Sequence, residues 1–255
     1  MSAPLHTLDR LVRRIPDGFL LRGSLLTRQW ARGFPRVAQD LDLLGTGPYA
    51  VDATIDRLAE AFSRDLGDGL QVPRDGVRGH AIWEGSDFPG VRVTVPTGPR
   101  DTVSVDVGFH DPVVPPAITL PYAPERGAPF PVQAVHRVTM VAWKLHGLVE
   151  WGETRWRCKD LLDLWLLCDA PFDVPDPTVG DAVRVAFESR GNPVQDAFFA
   201  LQPRRWRTPA ARLRWSTWVE DASLALPLEP TELVHTIEAR LAPALRDLAL
   251  PAEPA

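Results

Sequence analysis

The feature that most constrains this chain is a change in the spacing of its apolar residues near position 131. Before that point they come in short runs punctuated by Pro and Gly. After it they recur every three or four residues in five segments, 135–151, 157–168, 179–190, 213–222 and 231–250. A period near 3.6 puts apolar side chains on one side of a helix, so the second half is expected to be helical. In the first half, Phe19–Arg22 reads as a strand and 25–32 as a helix with Leu25, Leu26 and Trp30 on its buried side. A strand over 38–44 and a helix over 51–66 follow, the latter repeating Ile55, Leu58, Ala59 and Phe62 at helical spacing. Two further strands are expected over 91–95 and 102–108. The Pro-rich stretch 111–131 separates the two patterns. We therefore expect an α/β core over residues 1–128 and a helical domain over 129–255. The fold class is α+β, a small mixed sheet flanked by helices and followed by a C-terminal helical domain.

Composition narrows the setting. At 255 residues and 45% hydrophobic, the chain can bury a sizeable core. Apolar runs such as 19–21 and 161–167 are broken by Arg22 and Asp163, far short of the roughly 20 residues that a bilayer crossing needs. No membrane span is expected, and residues 1–18, with Asp9 and Asp17, lack the apolar stretch of a secretory signal. Cys158 and Cys168 are the only cysteines. Ten helical residues at about 1.5 Å each hold them about 15 Å apart, too far to bridge. Two unpaired thiols without ligand-spaced partners point to the cytoplasm and away from structural zinc. A net charge of -5 requires any nucleic-acid contact to be a local basic patch. Of 28 basic residues only Lys144 and Lys159 are lysines. A compact ammonium kept among so many guanidinium groups suits chemistry that arginine cannot replace.

Asp40-Leu41-Asp42 falls in an expected strand, where the period of two sends both carboxylates to one face. Adjacent carboxylates repel unless a cation joins them, and hard divalent ions such as Mg²⁺ take oxygen ligands. Taken alone, the motif also suits an edge strand with a solvated face. Over 102–108, Val103, Val105 and Val107 alternate with Thr102, Ser104 and Asp106, so Asp106 lies on a polar strand face and could supply a third carboxylate. Gly23-Ser24 lies between a strand and a helix, where free backbone N–H groups favour an anion such as a phosphate; it would equally serve as a helix cap. Lys144 sits on an apolar helix, beside Val141, Ala142, Leu145 and Leu148, and needs a partner if it faces inward. Asp160 and Asp163 share a face of the next helix by their i, i+3 spacing.

The order of these features, with "GFLLRGSLLTRQW", "RVAQDLDLL", "VSVDVGF", "VTMVAWKLHGLVE" and "RCKDLLDLWLL", resembles the AbiEii/AbiGii-type toxin nucleotidyltransferases of bacterial toxin–antitoxin systems over nearly the whole chain. The resemblance implies the nucleotidyltransferase fold and a metal-dependent transfer of a nucleotide from a nucleoside triphosphate. Asp40, Asp42 and Asp106 would hold Mg²⁺, and Gly23 and Ser24 would cradle the triphosphate. Arg36, with Gln39 beside Asp40, matches the family's segment before the acidic pair and joins the nucleotide site. Lys144 would contact the triphosphate, and Asp160 or Asp163 would orient or deprotonate the acceptor. The acceptor that the resemblance implies is a tRNA 3′ end, with an antitoxin protein as cognate partner. Where the family often carries a second Gly before its Gly-Ser turn, this chain has Arg22.

Two other readings stand beside this one. One is a nucleotidyltransferase with a small-molecule acceptor such as an antibiotic; the other is a non-catalytic binding module that keeps the fold. Over 203–218, five arginines interleave with Trp206, Trp215 and Trp218, a pattern that suits RNA backbone and exposed bases but equally a helix with a tryptophan core side.

Overall fold

The computed structural model describes residues 5–31, 33–34, 36–151, 155–224 and 229–249. The chain divides into two compact units, one of residues 1–111 with 117–135, the other of 112–116 with 136–255.

The first unit is built on a seven-stranded mixed sheet. Its strands are β1 (Phe19–Arg22), β2 (Leu41–Gly45), β3 (Arg78–Ile82), β4 (Gly90–Pro96), β5 (Thr102–Phe109), β6 (Ile118–Tyr122) and β7 (Phe130–Ala134). Their order across the sheet is β3-β4-β5-β2-β1-β7-β6. The β2–β5 and β1–β7 pairs are parallel and the others antiparallel. Three helices accompany the sheet: α1 (Leu5–Val12), α2 (Gly23–Thr27) and α3 (Val51–Phe62). Helix α2 packs on β1 and β2, and α3 on β3 and β4. Val91, Val93 and Val95 of β4 and Val103, Val105 and Val107 of β5 are all buried, with exposed Arg92 and Thr94 between the former. Each fully buried valine side chain is worth about 1.5–3 kcal/mol relative to exposure, so this alternation fixes which face of the two strands looks outward.

Several expected elements need correction. Strand β2 begins at Leu41, where its pairing with Val105 begins, so Asp40 lies in a bend before the strand and the two-residue alternation does not govern it. Helix α2 takes in Gly23 and Ser24 and ends at Thr27, and α3 ends at Phe62. The expected helix ends at Arg32 and Leu250 lie outside the described residues. Helix α1 and strands β3, β6 and β7 have no counterpart in the expectation; β6 and β7 fall largely in the stretch read as a divider. Pro121 and Pro131 face each other across the outer β6–β7 pair. Pairing of β7 with β1 is confined to Leu21 and Ala134, so the missing N–H of Pro131 interrupts no ladder with β1.

The second unit is helical. It comprises α4 (Arg137–Glu150), α5 (Cys158–Cys168), α6 (Asp176–Glu188), α7 (Asp196–Leu201), α8 (Pro203–Trp206), α9 (Pro209–Asp221) and α10 (Pro230–Leu245), which runs into a 3₁₀ turn. The starts are chemically specified. His136 Nδ1 accepts the Val138 N–H at the head of α4, Thr208 Oγ1 accepts that of Ala211 at α9, and Glu229 with Glu232 forms a capping box at α10. Helix α4 packs against α5, α6 and α7, and α10 against α5 and α6. Val138, Val141, Leu145, Leu161, Leu164, Val183, Phe187 and Ile237 are wholly buried there. No helix among the described residues is long and apolar enough to cross a membrane.

Candidate functional site

Three in-register pairings put four charged residues in one row across the sheet. Arg92 of β4 faces Asp106 of β5, Asp106 faces Asp42 of β2, and Asp42 faces Arg22 of β1. Residues opposite one another in a ladder share a face, so two carboxylates stand side by side between two arginines. Asp106 is buried, and both its oxygens are engaged: Arg92 Nε donates to Oδ1 and Nη2 to Oδ2, each at 2.7 Å. The hydrogen bonds and then the charge of Asp106 hold the Arg92 guanidinium further up than an ordinary arginine, and Asp40 and Asp42 add to the attraction. Arg22 turns instead to Asp111, with Nη1 2.6 Å from Oδ2. Its side chain lies over Gly108, where a Cβ would come within 2.7 Å of Nη2.

Asp42 is seated against Gly23. The glycine has φ of 75°, and a Cβ there would lie 1.9 Å from Asp42 Oδ2. Only a residue without a side chain combines that backbone with so close an approach. Beside it, the Ser24 hydroxyl is buried and has no hydrogen-bond partner among the described residues. A buried hydroxyl without a partner costs about 1–3 kcal/mol, a cost that a ligand oxygen would remove. Arg36 lies in the loop before β2 and donates to the Val37 carbonyl.

Among the described residues no three His, Cys, Asp or Glu side chains are grouped as a metal site would require. The three-carboxylate set of the sequence reading is thus divided: Asp106 is closed by Arg92, while Asp40 and Asp42 remain partly exposed. The residues present do fit a hard divalent cation of the kind that takes one or two carboxylates and completes its shell with water and phosphate.

A second group of charges lies in the helical unit. Lys144 of α4 reaches both candidate acids of α5, with Nζ 2.7 Å from Asp160 Oδ1 and 2.9 Å from Asp163 Oδ2. Both acids are almost fully buried. Arg157 Nε stands 2.7 Å from Asp160 Oδ2 as an ion pair, although that oxygen accepts no hydrogen bond of good geometry. Burial pulls the Lys144 pKa down, but the two carboxylates outweigh it and the ammonium is held above its ordinary range. Lys144 is thus a fixed cation, unsuited to proton transfer. Gly147 gives the pair room, since a Cβ there would meet Asp160 Oδ2 at 3.2 Å. Burial also raises the Cys158 thiol to about 11 and Cys168 to about 12, and the two are free.

The arginine–tryptophan segment resolves into two roles. Trp206 and Trp215 are buried, Trp206 edge-on to Trp156 with ring centroids 4.6 Å apart. They are core residues and offer no stacking face. Arg204, Arg207, Arg212 and Arg214 are exposed, and Arg214 also donates to the Trp156 carbonyl.

Residues that sequence reasoning missed are Arg92, Asp111 and Arg157. The signal for Arg92 was available: it is the polar position between Val91 and Val93, in the strand that would pair with that of Asp106.

The AbiEii nucleotidyl transferase toxin family of type IV toxin–antitoxin systems matches residues 10–247. No curated protein sequence matches the chain. Among solved structures, the chain resembles MenT4, a nucleotidyltransferase toxin of Mycobacterium tuberculosis, at TM-score 0.56 and 18% identity, over 97% of this chain and 82% of that one. It also resembles JHP933 of Helicobacter pylori, at TM-score 0.52 and 13% identity, over 98% and 95%. These likenesses are of fold. With 10–247 of its 255 residues matched, the chain belongs to the AbiEii nucleotidyltransferase toxins of type IV toxin–antitoxin systems.

Proposed function

We propose that this chain moves a nucleotide from a nucleoside triphosphate to the 3′ end of a tRNA in the cytoplasm, in a Mg²⁺-dependent reaction restrained by a cognate antitoxin. The observation that carries the reading is the seat of Asp42 against Gly23, with the unpartnered Ser24 hydroxyl beside it and Asp106 in register on the next strand.

In this reading Asp40 and Asp42 hold the cation, with Asp106 as the third carboxylate of the row. Mg²⁺ bound there would neutralise phosphate charge and hold the triphosphate for in-line displacement. The chain's own groups supply position. Gly23 lets a phosphate approach the backbone, the Ser24 hydroxyl donates to a phosphate oxygen, and Arg36 adds positive charge on the loop before β2. The acceptor hydroxyl oxygen bonds to the α-phosphorus as the bond to the departing pyrophosphate breaks. Lys144 has a side chain 18% exposed, and we assign it to the charge of the pyrophosphate. Asp160 or Asp163 is assigned to orient the acceptor hydroxyl or to take up the proton it releases. Exposed Arg204, Arg207 and Arg212 offer charge to RNA backbone.

The test is label transfer from each α-³²P nucleoside triphosphate into total tRNA with Mg²⁺, comparing the native chain with Asp42→Ala. Labelled tRNA that disappears in the variant supports the proposal. No label from any nucleotide, with the protein shown to be folded, would overturn the tRNA acceptor.

A further inference from the structure

The two arginines that flank the carboxylate row are held in different ways. Arg22 is tied to Asp111 and lies over Gly108, and its side chain is only 15% exposed. It is packed in place. Arg92 has a side chain 46% exposed and grips Asp106 with both arms of its guanidinium. While it does so, each Asp106 oxygen has a lone pair engaged and a positive charge beside it that opposes a cation. A planar fork that fits a carboxylate fits a phosphate equally well, and a half-exposed arginine can change partner without losing a buried environment. Asp40 and Asp42 attract the same guanidinium, so Arg92 answers to the charge of the whole row.

We propose that Arg92 is an exchangeable counter-ion of this site: it holds Asp106 in the free protein and passes to a phosphate of the nucleotide when a divalent cation takes the carboxylates. Charge balance favours the exchange, because cation entry removes the attraction that keeps Arg92 on Asp106 while the triphosphate brings a stronger one. No bond is made or broken. Arg92 is thereby a positioning residue that couples cation binding to phosphate binding. The inference rests on the reading of Asp40 and Asp42 as a cation site.

The experiment measures Mn²⁺ binding to the full chain by the loss of the free-ion electron paramagnetic resonance signal, and then binding of inorganic tripolyphosphate at saturating Mn²⁺. The proteins are the native chain, Arg92→Met, Arg92→Lys and Asp42→Asn. Arg92→Met is expected to bind Mn²⁺ about tenfold more tightly and tripolyphosphate about tenfold more weakly, the scale of one charge-assisted hydrogen bond. Arg92→Lys keeps the charge and loses the fork. It is expected to shift both affinities in the same directions by less, which separates the fork from simple field effects and serves if the methionine variant does not fold. Unchanged affinities in both arginine variants, alongside a lowered unfolding midpoint, would make Arg92 a tie between β4 and β5 and overturn the proposal alone. Equal Mn²⁺ binding by the native chain and Asp42→Asn would overturn the cation-site reading and the proposal with it.

Discussion

In the sheet unit, Arg22 and Arg92 meet four carboxylates, Asp40, Asp42, Asp106 and Asp111; in the helical unit, Lys144 and Arg157 meet two, Asp160 and Asp163. The first group is rich in carboxylates and lies on a partly open sheet face. The second is balanced, with its acids almost wholly out of water and its two cations partly exposed. An open, carboxylate-rich face invites a cation, whereas in the balanced cluster the buried acids keep Lys144 in one place as a standing charge. The two groups contain the same kinds of residue. Burial and charge count, more than residue identity, separate a row of charges that lies open from a cluster whose acids are buried.

The sharpest way to break this comparison is to remove one charge from each group. Lys144→Met leaves Asp160 and Asp163 buried beside each other without the ammonium between them, and is expected to cost about 3–5 kcal/mol of stability. Asp42→Asn keeps the shape of a partly exposed side chain and is expected to change stability by less than about 1 kcal/mol. Urea unfolding of the two variants decides. A small loss for Lys144→Met would show that the helical cluster is as adaptable as the row on the sheet.

The next effect concerns the glycines that serve the two groups. At Gly23 an added Cβ meets both a left-handed backbone and a carboxylate oxygen 1.9 Å away, so Gly23→Ala is expected to cost about 1–3 kcal/mol and to displace Asp42. At Gly147 the backbone is helical and the nearest Asp160 oxygen lies at 3.2 Å. There the roughly 0.5–1 kcal/mol that alanine gains in a helix offsets the crowding. Thermal unfolding midpoints that fall together for the two variants would show that the seat at Gly23 is not special.

Much of this was legible in sequence, and the omissions have physical causes. The helices of the second unit announced themselves by a 3.6 period because each buries one long side, and Val103, Val105 and Val107 placed Asp106 correctly on the polar face of β5. Asp40 was misplaced because alternation presumes a strand, and β2 begins only where β5 offers a partner at Leu41. Strands β6 and β7 were hidden by Pro121 and Pro131, which read as breaks but sit where no inner ladder needs their N–H groups. Sequence spacing brought Asp160 and Asp163 together on α5, yet gave no sign that their cation comes from α4. Nor could it show that Arg92 closes Asp106, since that follows from the register of β4 against β5. Pattern identifies elements and faces; pairing across elements decides which charges meet.

The smallest effect is one of pH, and it sharpens the contrast between the units. Burial raises the Cys158 thiol from 9.0 to about 11 and Cys168 from 9.0 to about 12. A raised folded pKa contributes stability that is complete below the unfolded value and is lost as pH climbs through the folded one. Between pH 9 and 10 the unfolded chain therefore begins to ionise both thiols while the folded helical unit keeps them protonated, a loss of about 1 kcal/mol for each. The Lys144 contribution has the same sign but stays intact until pH passes 10.5, the ordinary lysine value. In the sheet unit, Tyr122, raised by burial and by its bond to Asp9, follows only above 10.0. Urea midpoints measured from pH 8 to 10 should accordingly fall in the native chain and stay nearly level in the Cys158→Ala, Cys168→Ala double variant. A slope that survives in the double variant would place the alkaline sensitivity outside the helical core and remove the thiols from the account.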